Sequence, residues 1–288
     1  MEKSATARTS GTPFHMIFSD LDGTLLDTHT YGWEEALPAL NLCARRGVPV
    51  ILVSSKTRAE MDQLRRRMSI FAPFISENGG GIFFPRESVK TPPSGASMDQ
   101  GLWKWSLGLS YSLLIKGLQE IREDLGWNLR GFSNMSIEEI SRLTGLDRDT
   151  SRLAAMREYD EPFIVLGKQV FDENALFEAA AKRGLLITAG GRFYHLQGKN
   201  DKGQAMEKVT AWYRQDHGQV LTIALGDSPN DFPMLERADL PFLIRSQNEF
   251  PELKDRIPRL MVSSEMGPKG WNSVVLDVLG EEEEDSNV

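Results

Sequence analysis

The sequence contains little cysteine and no long apolar run, and each shortage excludes a class of protein. Cys43 is the one cysteine among 288 residues, so no disulfide can form within the chain and a reducing compartment is expected. No apolar run reaches the roughly 18 to 20 residues that a membrane span requires, and residues 1–14 form a polar stretch without a hydrophobic signal region. We therefore expect a cytoplasmic protein with no membrane partner and a disordered tail at residues 1–14.

Basic residues are also in the minority. The chain has 41 acidic and 33 basic residues, which leaves a net charge of -8. Such a chain repels polyanions, so nucleic acid is not an expected partner, whereas a small anionic substrate could still bind in a local basic pocket. Residues 281–288 are mostly acidic, and we expect them to form a second disordered tail. The sequence leaves the oligomeric state open.

Apolar runs and amphipathic segments alternate along two parts of the chain. Within residues 15–85, the apolar run at 48–53 is typical of a strand buried on both faces, and residues 33–46 have helical spacing. The same alternation resumes over residues 196–280. It is interrupted at residues 86–195, which begin with a Pro/Ser/Gly loop and continue as a mixed block of helices and strands. The pattern predicts an α/β core with a parallel sheet, into which residues 86–195 are inserted as an α+β domain.

Two aspartates follow the first predicted strand, in the sequence D-L-D-G-T at residues 20–24. Residues two apart in an extended segment point the same way, so Asp20 and Asp22 could face one site, and Gly23 allows a sharp turn. Two facing carboxylates are costly without a cation or proton between them. A hard divalent ion such as Mg²⁺ would satisfy them, since it prefers oxygen ligands.

A second acidic motif, G-D-S-P-N-D at residues 226–231, also lies between a predicted strand and a helix. Asp227 could complete the cation site, with Asp231 nearby in the same loop. For Ser228 and Asn230, capping of the next helix is about as good an explanation as a role in the site. Asn230 is a candidate substrate contact. Open α/β sheets bind ligands at the carboxyl ends of their strands, which is where both acidic motifs fall.

Polar and basic residues follow the other core elements. Ser54 ends a buried strand, and Ser55, Lys56 and Thr57 open the next helix, where a hydroxyl and backbone N–H groups suit a phosphoryl oxygen. An ordinary helix cap is the competing explanation, and it would be favoured if this segment stood alone. Lys202 lies where the core resumes, so it is a candidate for neutralising phosphate and not merely a solvated charge.

In chain order the four motifs are D-L-D-G-T, the hydroxyl of Ser54 after the next strand, Lys202 and G-D-S-P-N-D. In that order they resemble the four motifs of the haloacid dehalogenase superfamily. The resemblance implies a Rossmann-like core and phosphoryl transfer, in which Asp20 attacks phosphorus to form an aspartyl-phosphate. Asp22 would protonate the leaving alcohol and then activate water, while Ser54 and Lys202 would bind phosphoryl oxygens.

The resemblance also implies a divalent metal. Mg²⁺, or alternatively Mn²⁺ or Co²⁺, would be held by Asp20, the backbone carbonyl of Asp22 and Asp227, with Asp231 close by. The position of the insertion is similar to that of the C2-type cap of sugar phosphatases, and a cap supplies specificity and excludes water.

Local passages resemble the mannosyl-3-phosphoglycerate phosphatase family over nearly the whole chain apart from the two tails. They are V-S-S-K-T-R at 53–58, S-E-N-G-G at 76–80, T-G-L at 144–146, R-E-Y-D-E-P-F at 157–163, G-G-R-F-Y-H-L at 190–196 and G-P-K-G-W at 267–271. One departure is Ser54, where threonine is commoner, although the hydroxyl is kept. The implied substrate is 2-O-mannosyl-3-phosphoglycerate, and the product is mannosylglycerate, a compatible solute.

Such a substrate carries a carboxylate, which needs a cation or a helix N-terminus. Lys56, Thr57 and Arg192 are the candidates, because a guanidinium can bind a carboxylate through two hydrogen bonds. Gly190 and Gly191 would let backbone N–H groups approach the ligand. A β-hairpin turn with an exposed arginine explains residues 190–192 equally well.

His195 and Tyr194 alternate on the same predicted strand, so no more than one of them can face the site. We expect either side chain to pack and not to bind substrate.

Three other functions stay open at this point. The first is a phosphatase for another sugar phosphate, such as glucosyl-3-phosphoglycerate or a sucrose-phosphate-like ester. The second is a phosphomutase or phosphotransferase with the same core. The third is a sugar-phosphate sensor without catalytic activity, which the full set of expected catalytic residues disfavours.

Overall fold

The computed structural model describes residues 13–89, 91–167, 172–189 and 192–280. Gly190, Gly191 and almost all of the two predicted tails lie outside these residues. Phe14, the last residue of the predicted N-terminal tail, instead begins the first strand and is buried. None of the described helices is long and apolar enough to cross a membrane.

The described residues form thirteen strands in two sheets. In chain order the strands are β1 (Phe14–Ser19), β2 (Val50–Val53), β3 (Phe74–Ser76), β4 (Gly81–Pro85), β5 (Ser97–Asp99), β6 (Leu102–Ser106), β7 (Asn128–Gly131), β8 (Asp160–Leu166), β9 (Leu186–Ala189), β10 (Tyr194–Gln197), β11 (Val220–Gly226), β12 (Leu240–Arg245) and β13 (Met261–Met266). The larger sheet, called the core sheet below, has the order β13-β12-β11-β1-β2-β3-β4-β6-β5. Its strands from β13 to β3 pair in parallel, and β4, β6 and β5 pair antiparallel.

Ten α-helices cover the sheets in the described part of the chain. They are α1 (Leu37–Arg46), α2 (Arg58–Arg67), α3 (Tyr111–Leu125), α4 (Ile137–Thr144), α5 (Arg148–Ala154), α6 (Glu173–Ala181), α7 (Lys202–His217), α8 (Phe232–Arg237), α9 (Leu253–Arg256) and α10 (Gly267–Leu279). Both faces of the core sheet are buried, as the continuous apolar runs predict. In β1, Ile17 packs on the face covered by α1, α2 and α10, whereas Met16 and Phe18 pack on the face covered by α7, α8 and α9.

The smaller sheet belongs to the inserted part of the chain. Its order is β7-β8-β10-β9, and all neighbours are antiparallel. Helices α3 and α6 pack on it around Leu114, Phe163 and Leu176, which form an apolar cluster separate from those of the core. The sequence pattern did not indicate β7, a short strand whose edge position leaves Asn128 exposed.

The predicted start of the insertion at residue 86 needs correction. Strands β5 and β6 fall inside the range 86–195, yet β6 pairs with β4 in the core sheet from Leu102 to Ser106. The Pro/Ser/Gly loop is thus a connection to an antiparallel edge of the core sheet and not a linker to the cap. The predicted end at residue 195 also falls inside β10. We propose that the inserted cap comprises residues 107–201.

Candidate active site

The carboxyl ends of three neighbouring parallel strands place the acidic and hydroxyl side chains at one edge of the core sheet. Strands β11, β1 and β2 are adjacent, and Asp227, Asp20 and Ser54 follow them directly. This is the edge at which open α/β sheets bind ligands.

Lys202, at the start of α7, lies inside this acidic edge. Its Nζ is 2.6 Å from Oδ1 of Asp20 and 2.6 Å from Oδ1 of Asp231. The side chain of Lys202 is fully buried. Burial alone lowers the pKa of Lys202, but the two carboxylates outweigh it and raise that pKa above its ordinary value. Lys202 is therefore a permanent cation next to Asp20.

Three carboxylates lie close enough together to hold a metal ion. Ligand oxygens of Asp20, Asp227 and Asp231 are all within 4.8 Å of one another. Burial and the negative charge of Asp231 raise the pKa of Asp20 well above its ordinary range. The same two causes raise the pKa of Asp227 to about 7. Lys202 alone does not balance this crowding of negative charge, so the all-oxygen cluster fits a divalent cation.

Asp231 uses both of its carboxylate oxygens within the protein. Oδ1 accepts from Lys202, and Oδ2 accepts from the backbone N–H groups of Asp227, at 3.0 Å, and Ser228, at 3.1 Å. Asp231 is fully buried. These contacts hold Lys202 and the Asp227 loop in place, so Asp231 has an orienting role whether or not it also contacts a metal.

Asn230 connects the same loop to a neighbouring turn. Its Nδ2 donates to Oδ1 of Asn78 over 3.1 Å, and its Oδ1 accepts from the hydroxyl of Ser228 at 2.6 Å. Both ends of the amide are thus used in holding the loop.

Asp22 stands apart from the three-carboxylate cluster. Its Oδ2 pairs with Nζ of Lys56 at 2.8 Å, while its buried Oδ1 has no hydrogen-bond partner in the described part of the chain. Gly23 makes the turn directly after Asp22, with a φ of +83°. A Cβ on Gly23 would lie 2.6 Å from Oδ2 of Asp227, so only glycine lets the two loops approach this closely.

The segment after β2 serves mainly as a helix start. Thr57 accepts from the backbone N–H of Glu60, whose carboxylate accepts from the N–H of Thr57 in return, which is a capping box. The Thr57 hydroxyl also lies 2.9 Å from the carbonyl oxygen of Leu153 in the cap. Ser54 is almost fully buried and accepts from the N–H of Lys56. The Thr57 side chain is therefore a helix cap. Ser54 lies at the end of β2, next to the end of β1 that carries Asp20.

A cavity of about 160 Å³ separates this edge from the cap. The core contributes Asp22, Ser55 and Lys56, among other residues, and the cap contributes Arg157 and His195. No sequence pattern assigns Arg157 a role by itself, and His195 is predicted to pack.

Arg192 borders this cavity, through a contact with Thr144, but does not line it. Its Nη1 donates to the carbonyl oxygens of Leu143 and Thr144, at 3.0 and 3.1 Å, at the end of α4. Among the described residues that line the cavity, Arg192 is absent. A cation at a helix C-terminus interacts favourably with the unpaired carbonyl groups there.

Known proteins are similar to this chain in sequence and in fold. Residues 17–91 match the family of haloacid dehalogenase-like hydrolases. The chain is 39% identical over 269 residues to a glucosyl-3-phosphoglycerate/mannosyl-3-phosphoglycerate phosphatase of Methanococcoides burtonii, which covers 92% of this chain and 97% of the relative. It is 32% identical over 229 residues to a mannosyl-3-phosphoglycerate phosphatase of Pyrococcus furiosus, with coverages of 80% and 90%. A Thermoplasma acidophilum crystal structure superposes with a TM-score of 0.65 at 20% identity, covering 91% of this chain and 97% of that chain.

The chain therefore belongs to the haloacid dehalogenase-like hydrolases. These matches confirm the predicted α/β fold with a Rossmann-like core and an inserted cap. The relatives are named phosphatases, which confirms the prediction of a phosphoric monoester hydrolase. Their names differ in the substrate: one carries a glucosyl and a mannosyl compound, the other the mannosyl compound alone.

Proposed function

We propose that this phosphatase hydrolyses 2-O-mannosyl-3-phosphoglycerate to mannosylglycerate and phosphate, in the presence of Mg²⁺, with the glucosyl analogue as the alternative substrate. The observation that carries the proposal is the placement of Asp20 within the acidic cluster at the strand ends, in direct contact with the Lys202 ammonium. The names of the two relatives support a hexosyl phosphoglycerate as the substrate.

The chain's own residues suggest how the phosphoryl group is transferred. Lys202 holds Oδ1 of Asp20, which leaves Oδ2 to attack phosphorus. The bond between phosphorus and the ester oxygen of the substrate breaks, and an aspartyl-phosphate forms. The ammonium of Lys202 and the hydroxyl of Ser54 offset the charge that spreads over the phosphoryl oxygens.

Asp22 handles the proton in both steps. Its Oδ1 is buried without a partner among the described residues, so it suits a proton that is passed to the leaving ester oxygen. The resulting carboxylate then takes a proton from water, whose oxygen attacks the phosphorus of the aspartyl-phosphate. Inorganic phosphate leaves and Asp20 is restored. The Lys56 ammonium, 2.8 Å from Oδ2 of Asp22, orients the carboxyl group for both steps.

Mg²⁺ would be held by carboxylate oxygens of Asp20 and Asp227, with the Asp22 backbone carbonyl and Asp231 close by. When bound, it supplies positive charge that polarises a phosphoryl oxygen. The crowded negative charge of this cluster is what supports the assignment. Mn²⁺ and Co²⁺ are the alternative ions.

A panel of phosphate esters tests the proposal. Phosphate release with Mg²⁺ would be measured for mannosyl-3-phosphoglycerate, glucosyl-3-phosphoglycerate, 3-phosphoglycerate, mannose 6-phosphate and sucrose 6-phosphate. We expect kcat/KM for the mannosyl compound to be about a hundredfold higher than kcat/KM for 3-phosphoglycerate, mannose 6-phosphate or sucrose 6-phosphate. This ratio corresponds to about 2.7 kcal/mol of transition-state discrimination. Equal activity over the panel would refute the substrate and keep the phosphatase.

An Asp20→Asn variant tests the mechanism. It should lose turnover while it still binds substrate, and no phosphoryl-enzyme should be trapped by acid quench. Asp255→Asn, at an exposed position of α9, is the matched control and should keep full activity. A phosphorylated sugar product in place of free phosphate would instead reveal a mutase.

A further inference from the structure

The cap supplies a cationic wall to the cavity beside Asp22. Arg157 and His195 both line this cavity, and both are held by Asp160. Oδ2 of Asp160 accepts from Nη1 of Arg157 over 3.2 Å and lies 2.7 Å from Nδ1 of His195. The side chain of Asp160 is fully buried. One carboxylate oxygen therefore orients both side chains.

The arrangement leaves one nitrogen of each side chain for a ligand. Nη1 and Nε of Arg157 donate to backbone carbonyls as well, including that of Ser55 in the core at 2.8 Å. The hydrogen bonds of Arg157 to described residues use Nε and Nη1, and that of His195 uses Nδ1, so Nη2 and Nε2 are the nitrogens left for a ligand. A carboxylate at Nδ1 of a histidine fixes the ring orientation, so the contact with Asp160 holds Nε2 on the opposite side of the His195 ring.

The charges around the cavity favour a small anion over a neutral group at this wall. Lys56 is already paired with Asp22 on the core side, so its charge is partly used. Glu60, which also lines the cavity, is occupied by the capping box of α2. Arg157 is a permanent cation, because nearby carboxylates outweigh the burial that opposes its charge and raise its pKa above the ordinary value. Because Nε and Nη1 of Arg157 are engaged, Nη2 is the nitrogen that can donate to a carboxylate oxygen.

We propose that Arg157 and His195 bind the carboxylate of the phosphoglycerate moiety, and that His195 determines specificity for it. This inference rests on the proposed function and deepens it. It replaces Arg192, whose guanidinium is engaged at the end of α4, as the carboxylate ligand from the cap. Asp160 is the residue that positions both donors.

The size of the cavity has a consequence for the hexosyl group. A volume of about 160 Å³ is below the roughly 300 Å³ at which ligand pockets usually begin, so it admits the three-carbon acid and not the sugar as well. An adjoining cavity of about 320 Å³ shares Tyr31, Lys56 and Leu146 with it. The hexosyl group would extend into this second cavity, between α2 and α5.

The test is a double-change cycle that combines His195→Gln in the enzyme with replacement of the substrate carboxylate by a carboxamide. The substrates are mannosyl-3-phosphoglycerate and its primary carboxamide, which keeps the shape and loses the charge. The wild-type enzyme should prefer the acid about 10- to 100-fold in kcat/KM, mainly through KM, and His195→Gln should reduce that preference to less than about threefold. An unchanged preference in His195→Gln would overturn the proposal.

Two further variants separate specificity from folding. Asp160→Asn keeps an acceptor for Nδ1 but removes the charge, so the preference for the acid should fall to an intermediate value. His217→Gln changes a histidine that stacks on Phe14 at the end of α7, and it should leave the preference as in the wild type. A loss of preference in His217→Gln equal to that in His195→Gln would show that the effect is not local, and would refute the assignment.

Binding of D-glycerate reports on the subsite without turnover. By calorimetry, Kd for D-glycerate should rise at least tenfold in His195→Gln, and equal values would overturn the subsite. If the wild type binds D-glycerate with this dependence but hydrolyses no hexosyl phosphoglycerate, the proposed function fails and the subsite stands.

Discussion

Replacing Asp227 with asparagine removes one of three carboxylates that crowd at the strand ends, and we expect the metal-free protein to become more stable at alkaline pH. In the folded protein, burial and the charge of Asp231 raise the pKa of Asp227 to about 7, from an ordinary value of 3.8. The folded state therefore binds more protons than the unfolded state between these two values. Stability is lost as the pH rises through this window, and the full cost is present above about pH 7.

The magnitude follows from the size of the shift. About three pKa units correspond to roughly 4 kcal/mol at 1.36 kcal/mol per unit, which is an upper limit because the loop can relax and admit water. Asparagine does not ionise, so Asp227→Asn should raise the free energy of unfolding by about 1–3 kcal/mol at pH 8 and change it little at pH 4.

Urea unfolding in the presence of EDTA at pH 4, 6 and 8 measures this difference. Asp255→Asn changes an exposed carboxylate outside the acidic cluster. Its free energy of unfolding should differ from that of the wild type by the same amount at all three pH values. Added Mg²⁺ should stabilise the wild type and have a smaller effect on Asp227→Asn, since at a given concentration a ligand that binds the folded state more tightly stabilises it more. A variant that is less stable than the wild type at pH 8 would refute the argument from charge repulsion.

Two further substitutions test the geometry around the site. Gly79→Ala should destabilise by more than about 3 kcal/mol, because a Cβ there would lie 2.2 Å from the carbonyl oxygen of Asp201 at a φ of +93°. Gly101→Ala, at a φ of +82° with open space around the Cβ, should cost only about 1–2 kcal/mol, and equal losses in the two urea midpoints would contradict this reasoning. Thr57→Ala should lower the free energy of unfolding by about 1 kcal/mol through loss of the helix cap, with an unchanged m-value; no change would show that the capping box of α2 contributes nothing.

The core of the molecule could be predicted because its signals are local. The apolar run of β2 and the burial of β1 on both faces follow from side chains a few residues apart. Asp20 and Asp227 each follow such a strand directly, so their meeting at one sheet edge needs only the parallel order of the strands. Lys202 is distant in sequence from Asp20, and the order of the motifs, not any local pattern, indicated that the two belong together.

The inserted part was harder to predict. Strand β6 pairs with β4 across a loop rich in proline and serine, and such a loop has the same composition whether it leads to a new domain or back to the same sheet. The alternation of Tyr194 and His195 showed that one of them could face the site. It did not show which, because that depends on the pairing of β10 with β8 and on how the cap packs against the core.

The sequence by itself determined the class of fold, the strand ends that carry Asp20 and Asp227, and the chemistry those residues can perform, since each depends on residue type and short-range spacing. Only the tertiary structure decided which basic side chains line the cavity beside Asp22. Arg192 reaches the end of a helix, whereas Arg157 and His195 meet at one buried carboxylate. That choice is made by contacts between segments far apart in the chain, and such contacts leave no periodic pattern in the sequence.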